Sequence, residues 1–432
     1  MIAPRSNGAG LAVLGAGFTG LSVGLRARCM VYEAADAPGG ICRSYHMRPG
    51  GSVRLTRTAA DGDSYRFEIG GGHWIFGDDP ALLRFLRDYG SVRRYGRRSA
   101  VFLWRARRYI EYPLQDHLEQ LESDVARSVA AELASIARQA VESPRTQKEW
   151  NSARFGPTLC ALFFHPFNER YTAGLYDRIA PQDAYKSPVG SARGYNATFV
   201  YPLDGLDVLA RRLAQGCCIE YGRRAVAIDP SARTIAFADG TSLQYRTLIS
   251  TLPLNRMLEL TGLHVTTSAD PHTASLVLNI GATAGPALPA YHWVYVPDSA
   301  SGFHRVGIYS NVDRTFLPQR DGHGGRRVAL YVERAYPGDA PPHPSELHAY
   351  VQAATRELRE WGFIDSIEVI DPSWIDIAYT WSWPGSSWRA EATERLQAHG
   401  IQQAGRFGRW VYQGIADSIR EGLTIGSALS TG

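Results

Sequence analysis

The feature that most constrains the fold of this chain is a glycine-rich turn near its start. A short apolar run, Leu11–Leu14, leads into Gly15, Gly17 and Gly20, which have the spacing GxGxxG. Apolar residues then recur at helical spacing, and a second apolar run ends at Glu33. A strand, a glycine turn, a helix and a second strand in this order predict a βαβ unit of the dinucleotide-binding type.

Each residue of this motif has a physical task. Gly15 permits the tight turn, Gly17 lets the backbone approach a pyrophosphate, and Gly20 lets the helix pack closely on the strand. The N-terminus of the helix presents unpaired N–H groups to the phosphates. Glu33 is placed to accept hydrogen bonds from a ribose 2′-hydroxyl and would repel a 2′-phosphate, so a dinucleotide such as FAD is expected.

Composition excludes several other classes of protein. The 432 residues leave room for two or three packed units, and 44% hydrophobic and 20% charged residues are ordinary for a soluble folded protein. The small formal charge of +4 argues against a nucleic-acid-binding protein. No apolar stretch approaches the roughly 20 residues of a membrane span. The five cysteines have neither CxxC nor metal-ligand spacing. We therefore expect a cytoplasmic protein with no signal peptide, metal site, membrane association or nucleic-acid partner.

Further glycine clusters follow the motif. Gly39 and Gly40 come directly after the second predicted strand, where a second backbone approach to the pyrophosphate is expected. Gly70–Gly72 precede His73 and therefore place a histidine on a glycine-rich loop.

The middle of the chain changes character twice. The pattern from Pro80 to about Ser143 predicts helices, with Leu114–Val141 as one long helix. Short strands are predicted between 219 and 251, and further strands with one helix near 346–361 are predicted in residues 275–382. A helix of small residues is predicted from about Ile415.

The order of these segments resembles the FAD-binding amine-oxidase and glutathione-reductase-like superfamily. Several segments resemble more narrowly the UDP-galactopyranose mutase family, particularly its eukaryotic-type branch. They occur in the family's order and span nearly the whole chain: Gly71–Phe76, Tyr112–Gln115, Pro166–Asn168, Asn196–Phe199, His304-Arg305 with Ser310-Asn311, and Gly405–Tyr412.

The resemblance implies an α/β fold in which a Rossmann-like FAD-binding domain of the glutathione-reductase type is interleaved with other units. Its three parts would be residues 1–79, 196–262 and 399–432. A helical part of the substrate domain would span residues 80–195, and the sheet of the mixed α+β substrate domain would span 263–398.

The resemblance also implies a chemistry. The family converts a nucleotide sugar between pyranose and furanose forms without net oxidation, through an adduct between N5 of reduced FAD and the sugar. NADPH or NADH would be the reductant, and the oligomeric state is left open.

Individual site residues follow from the same resemblance. His73 would lie against the flavin and Arg305 would grip a diphosphate, although a loop histidine that only packs is the competing interpretation of His73. The implied cofactor-binding residues are Gly15, Gly17, Gly20, Glu33, Gly39, Gly40, Gly72, Val226, Gly405, Arg406 and Asp417. The implied substrate-binding residues are Tyr112, Gln115, Asn196, Tyr295, Asn311, Trp383 and Tyr412.

Four positions depart from the family pattern. Val200 replaces a second diphosphate arginine, Val312 and Trp383 replace tyrosines, and Ala416 replaces an asparagine. Either Arg193 or Arg420 compensates, or the substrate is not UDP-galactose. It would then be another nucleotide sugar, or a nucleoside or glycoside without a diphosphate. Two other classes stay open: an FAD-dependent amine or alcohol oxidase or dehydrogenase, and a flavin-binding protein without catalysis.

Overall fold

The computed structural model describes residues 10–77, 79–138, 143–181, 197–319, 326–338 and 340–430. Within these ranges the strands, numbered in chain order, are Leu11–Leu14 (β1), Met30–Tyr32 (β2), Ser44–Met47 (β3), Tyr65–Glu68 (β4), Ile75–Phe76 (β5), Val92–Gly96 (β6), Ser99–Leu103 (β7), Arg108–Glu111 (β8), Thr198–Pro202 (β9), Cys218–Glu220 (β10), Ala225–Asp229 (β11), Thr234–Phe237 (β12), Ser242–Gln244 (β13), Thr247–Ser250 (β14), His272–Ala284 (β15), Trp293–Tyr295 (β16), Arg305–Ile308 (β17), Arg327–Pro337 (β18), Ile364–Thr380 (β19) and Ile401–Gln403 (β20).

The helices in the same ranges are Phe18–Ala27 (α1), Pro80–Tyr89 (α2), Ser123–Ile136 (α3), Gln147–Leu159 (α4), His165–Tyr171 (α5), Leu206–Ala214 (α6), Leu254–Thr261 (α7), Tyr309–Val312 (α8), Pro344–Glu360 (α9), Trp388–Ala398 (α10), Gly405–Gly408 (α11) and Ile415–Ser430 (α12).

Five strands form a parallel sheet in the order β10-β2-β1-β14-β20. The glycine turn joins β1 to α1, so the predicted βαβ unit and the α/β class are confirmed. Helix α12 packs closely on α1 because its facing residues are small. A Cβ atom at Gly422 would lie 2.4 Å from the carbonyl oxygen of Thr19, and one at Gly426 would lie 2.8 Å from that of Val23.

A seven-stranded sheet, in the order β19-β15-β18-β17-β16-β7-β8, forms the second main layer. Its pairs are antiparallel except β16 with β7. Side chains alternate between its two faces. Val294, Val306 and Val332 pack in the apolar cluster that also holds Tyr350 and Leu358 of α9. The residues between those valines point to the other face, and that face carries the site.

The smaller sheets complete the architecture. Strands β11, β12 and β13 form one antiparallel sheet, β5, β9 and β6 form another, and β3 pairs with β4. In the part of the chain that the structure describes, no helix has the length and apolarity to cross a membrane.

The expectation of helices from Pro80 to Ser143 is wrong in its middle. Strands β6, β7 and β8 follow α2, and the helix predicted over Leu114–Val141 begins only at Ser123. The run Ser99–Leu103 is buried along its whole length. A fully buried strand shows no alternation, so periodicity cannot separate it from a buried helix.

Candidate functional site

A cavity of about 980 Å³ lies where the parallel sheet meets the seven-stranded sheet. We call the part lined by Gly15, Gly17, Glu33, Gly39 and Gly40 the nucleotide end. We call the part lined by His73, Tyr295, Arg305, Glu333, Arg406 and Tyr412 the ligand end. The cavity therefore joins residues from the first 40 positions of the chain to residues far along it.

The glycine turn of the nucleotide end has the geometry its spacing predicts. Gly15 has a φ of +95°, which strongly favours glycine. A Cβ atom at Gly20 would lie 1.9 Å from the carbonyl oxygen of Gly15, so only glycine permits this approach of helix to turn. A Cβ atom at Gly17 would meet no protein atom within 4 Å, and no side chain caps α1 there. The helix N-terminus therefore faces open space, as a pyrophosphate site requires.

Glu33 closes the nucleotide end. Its carboxylate accepts hydrogen bonds from the backbone N–H groups of Ala16, at 2.6 Å, and Ala35, at 2.8 Å. These bonds hold the side chain at the glycine turn, with lone pairs left over for ribose hydroxyls.

The second glycine pair lies against the first. A Cβ atom at Gly40 would be 3.7 Å from the Cα of Gly17, and the backbone N–H of Gly39 donates to the carbonyl of Ala16 at 2.8 Å. The buried Nε of Arg43 lines the same cavity and has no protein hydrogen-bond partner. Two backbone approaches, an uncapped helix N-terminus and an unused cationic donor fit the pyrophosphate of the expected FAD.

His73 lies on the glycine loop that borders the ligand end. One ring nitrogen, Nδ1, is 3.1 Å from the carbonyl oxygen of Gly71. Burial, together with the nearby Arg406, lowers the pKa of His73 to about 4, although Glu333 opposes the shift. The imidazole is therefore neutral at neutral pH and offers a hydrogen bond rather than a charge.

Arg305 and Glu333 form an ion pair at the ligand end. They are directly opposite on the antiparallel strands β17 and β18, and both carboxylate oxygens accept from Nη2 of Arg305. The side chains are 14% and 3% exposed. Burial by itself would raise the pKa of Glu333, but Arg305 and His304 lower it to about 2. Glu333 is therefore ionised at neutral pH.

Sequence reasoning missed Glu333. The available signal was the alternation of β18, in which Tyr331 and Glu333 point to one face and the apolar residues Leu330 and Val332 point to the other. On the neighbouring strand β17, Arg305 lies opposite Glu333. An acidic residue in the buried phase of a strand needs a partner, and Arg305 is that partner.

Arg406 and Tyr412 reach the ligand end from the loop before α12. The Arg406 guanidinium lies 4.9 Å from the centre of the Tyr412 ring and donates to the carbonyl of Ala378 at 2.9 Å. Glu421 of α12 holds this loop, because it accepts from the backbone N–H of Gly405 at 3.1 Å and from the Gln413 amide at 2.7 Å.

Many of the predicted site residues meet in this one cavity. Its lining includes Gly15, Gly17, Glu33, Gly39, Gly40, Gly72, His73, Val226, Tyr295, Arg305, Gly405, Arg406 and Tyr412. Gly20 lies behind the turn, where it packs on Gly15.

Other predicted residues do not line it. Tyr112 and Gln115 are buried next to it, with the Tyr112 ring 4.7 Å from that of Tyr295. Asn311 donates to the backbone carbonyls of Pro289 and Tyr291, both at 2.7 Å.

Trp383 and Asp417 also bond elsewhere. The Trp383 indole donates to the carbonyl of Ala269 at 2.9 Å, and Asp417 accepts from Arg420 at 3.0 Å. Asn196 lies outside the described residues, as does Arg193.

The positions that depart from the family pattern do not line the cavity. Val200, Val312 and Ala416 are buried and do not line it. Arg420 pairs with Asp79 at 3.3 Å and also does not line it. The two guanidinium groups at the ligand end are those of Arg305 and Arg406, and both lower the pKa of His73.

Comparison with known proteins gives the wider context of this geometry. Residues 19–423 match the family model described as flavin containing amine oxidoreductase. A crystal structure of reduced UDP-galactopyranose mutase is similar with a TM-score of 0.82 and 22% identity, covering 98% of this chain and 96% of that chain.

Two other solved structures have similar folds. A protein from Exiguobacterium sp. 255-15, described as a protoporphyrinogen oxidase, has a TM-score of 0.70 at 14% identity, with 99% and 100% of the two chains covered. Putrescine oxidase bound to putrescine has a TM-score of 0.60 at 15% identity, with 98% and 99% covered. At these identities the likeness extends to the fold alone.

Proposed function

The chain belongs to the flavin-containing amine oxidoreductase family, and we propose that within it the protein is an FAD-dependent mutase. It would convert a nucleotide sugar between pyranose and furanose forms without net oxidation. Because proteins with similar folds include oxidases as well as a mutase, the proposal depends on the chemistry of the cavity rather than on the fold.

The observation that carries the proposal is the kind of polar atom the cavity offers. Among the described residues that line the cavity, the buried side-chain polar atoms without a protein hydrogen-bond partner are N–H donors with one exception, the Oε1 atom of Gln413. The donors are the Nε1 atoms of Trp74, Trp293 and Trp374 and the Nε atoms of Arg43, Arg305 and Arg406. At the ligand end the carboxylate of Glu333 is already paired with Arg305, so these donors favour an oxygen-rich, anionic ligand over a protonated amine, which would need free acceptors.

The residues of the chain divide the work between the two ends. Gly15, Gly17, Gly39, Gly40 and Glu33 would hold FAD, and reduced FAD supplies a nucleophile when it is bound. At the ligand end the Arg305 guanidinium would orient a phosphate-bearing leaving group, and Arg406 would hold the flavin.

Neutral His73 would donate or accept a hydrogen bond beside the reacting atoms without adding a positive charge there. The surrounding aromatic residues Tyr295 and Trp293 are each 2% exposed and would exclude water from the reaction. We also propose NADPH or NADH as the source of electrons that keep the flavin reduced.

The test uses FAD-loaded protein and a panel of nucleotide sugars under anaerobic conditions. Each sugar is incubated with oxidised and with dithionite-reduced protein, and the products are separated and weighed by mass spectrometry. A new product of unchanged mass that forms only with reduced protein supports the mutase and identifies the sugar.

An oxidase or dehydrogenase would behave differently. It would yield a product two hydrogens lighter and bleach the oxidised flavin, and that result would overturn the mutase proposal. Turnover of a glycoside or nucleoside without a diphosphate would keep the chemistry but change the substrate class.

A further inference from the structure

The ion pair at the ligand end places a carboxylate on the arginine that the proposed function assigns to the phosphates. Both oxygens of Glu333 accept from Nη2 of Arg305. A phosphate oxygen would seek that same donor edge, because guanidinium groups bind phosphate and carboxylate in the same way. Part of the anion-binding capacity of Arg305 is therefore already used by the protein itself.

The ion pair is not closed to a ligand, because Arg305 lines the cavity and its side chain is 14% exposed. Its Nε atom has no protein hydrogen-bond partner. The guanidinium carbon lies 5.8 Å from the centre of the Tyr331 ring, which supports one side of the group. A ligand in the cavity can therefore reach the guanidinium.

The position of Glu333 is restricted on its other sides. A Cβ atom at Gly71, whose φ is +79°, would lie 2.7 Å from Oε1 of Glu333, so the glycine loop is in tight contact with the carboxylate. On the other side, Nε2 of His304 is 3.6 Å from Oε2 of Glu333. These contacts limit the movement of the carboxylate away from Arg305. When a ligand binds the guanidinium, His304 is the neighbour with which the carboxylate can form a hydrogen bond.

We propose that Glu333 is a specificity-determining residue that competes with anionic ligands for Arg305. A small anion has to displace the carboxylate without other contacts and binds weakly. A nucleotide sugar gains additional contacts along the cavity and displaces it. The inference rests on the proposed function only for the identity of the larger ligand.

The direct test is the binding of inorganic pyrophosphate to FAD-loaded protein, measured by calorimetry. Bound FAD occupies the nucleotide end, so the titration reports on the ligand end. Glu333→Gln removes the competing charge at nearly constant volume. We expect this variant to bind pyrophosphate about tenfold more tightly than the wild type, the scale of one added charge-assisted hydrogen bond.

A matched control is available on the other face of the sheet. Glu357 of α9 is also buried and accepts hydrogen bonds from Ser299 and from the N–H groups of Ala300 and Ser301 at 2.8–3.0 Å. Glu357→Gln removes a buried carboxylate of similar connectivity away from the cavity. It should lower the melting temperature, leave pyrophosphate affinity unchanged and gain no extra thermal stabilisation from pyrophosphate.

For Glu333→Gln, in contrast, pyrophosphate should restore much of any lost thermal stability, because it replaces the counter-ion of Arg305. An unchanged or weaker affinity in that variant overturns the proposal. If Glu333→Gln does not fold, the double variant Arg305→Gln/Glu333→Gln, which removes both charges, is used in its place. Pyrophosphate affinity within about threefold of the wild type supports cancellation of Arg305 by Glu333, and any larger loss overturns it.

These measurements need no turnover. A gain of pyrophosphate affinity in a protein that converts no nucleotide sugar would leave the competition in place and reject only the mutase proposal.

Discussion

The nucleotide end and the ligand end of the cavity are built in opposite ways. At the nucleotide end most contacts come from the backbone, joined by the side chains of Glu33 and Arg43, and these residues lie within two short stretches, 15–19 and 33–43. At the ligand end the contacts come from side chains of strands β16, β17 and β18 and of loops that are hundreds of residues apart, such as those of His73 and Tyr412. The nucleotide end depends on the lack of a side chain at its glycine positions, whereas the ligand end depends on which charged side chains are paired.

This difference has a consequence for mutation. A change at the nucleotide end alters the room left for the cofactor and the packing of α1, so the size of the new side chain decides the outcome. A change at the ligand end leaves a buried charge without its partner, so the charge that remains decides the outcome. The following variants test that distinction.

The largest effect is expected at the ligand end. Arg305→Met leaves the carboxylate of Glu333 buried without its partner and should lower the free energy of unfolding by about 3–5 kcal/mol. Urea denaturation measures the loss. Adding Glu333→Gln should recover a large part of it, and equal stability of the single and double variants would contradict the charge-based account.

A pH-dependent effect is expected at a buried carboxylate that directly precedes the lining residue Ile69. Glu68 of β4 is fully buried, where it accepts from Ser44 at 2.9 Å and from Tyr201. Burial raises its pKa from 4.5 to about 8, and its hydrogen bonds and Arg66 offset only part of that shift.

Between about pH 5 and pH 8 the unfolded chain therefore loses a proton that the folded protein keeps. Glu68 therefore contributes a fall of about 1 kcal/mol per pH unit to the free energy of unfolding as the pH rises through this window. Glu68→Gln should remove this contribution, so that urea denaturation at pH 5.5 and 8 gives the variant a higher stability at pH 8, relative to pH 5.5, than the wild type has. The exposed Glu394→Gln is the control, and parallel slopes in Glu68→Gln and the wild type would refute the assignment.

At the nucleotide end the two neighbouring glycines should separate packing from ligand approach. Gly20→Ala forces α1 away from the turn and should cost about 1–3 kcal/mol in the apoprotein and also weaken FAD binding. Gly17→Ala meets no protein atom within 4 Å, so it should leave apoprotein stability nearly unchanged and weaken FAD binding alone. Thermal unfolding and flavin content measure the two properties, and equal destabilisation of both apoproteins would contradict the proposed division.

The smallest effect is expected where a side chain of α12 supports the loop of Arg406. Glu421→Gln keeps the size of the residue but weakens its bonds to Gly405 and Gln413, at a cost of about 1 kcal/mol. We expect FAD to bind a few-fold more weakly, as measured by flavin fluorescence titration. The exposed Glu394→Gln should not change the affinity, and a normal affinity in Glu421→Gln would show that the loop holds its shape without that carboxylate.

The geometry of the nucleotide end is local, so the residues of two short segments are enough to predict it. The spacing of Gly15, Gly17 and Gly20 and the strand and helix around them specify one turn, and short-range sterics enforce it. The same local reasoning predicted the helix near 346–361 and the last helix, since each shows its own periodicity.

The ligand end, in contrast, depends on long-range packing. The pairing of Arg305 with Glu333 depends on the register of two strands, and that register is a property of the whole sheet rather than of either segment. The inclusion of Ser99–Leu103 in the same sheet was hidden for a related reason, because a strand buried on both faces loses its alternation. Residues that are distant in sequence come together through long-range packing, so a local motif does not reveal a partner that lies elsewhere in the chain.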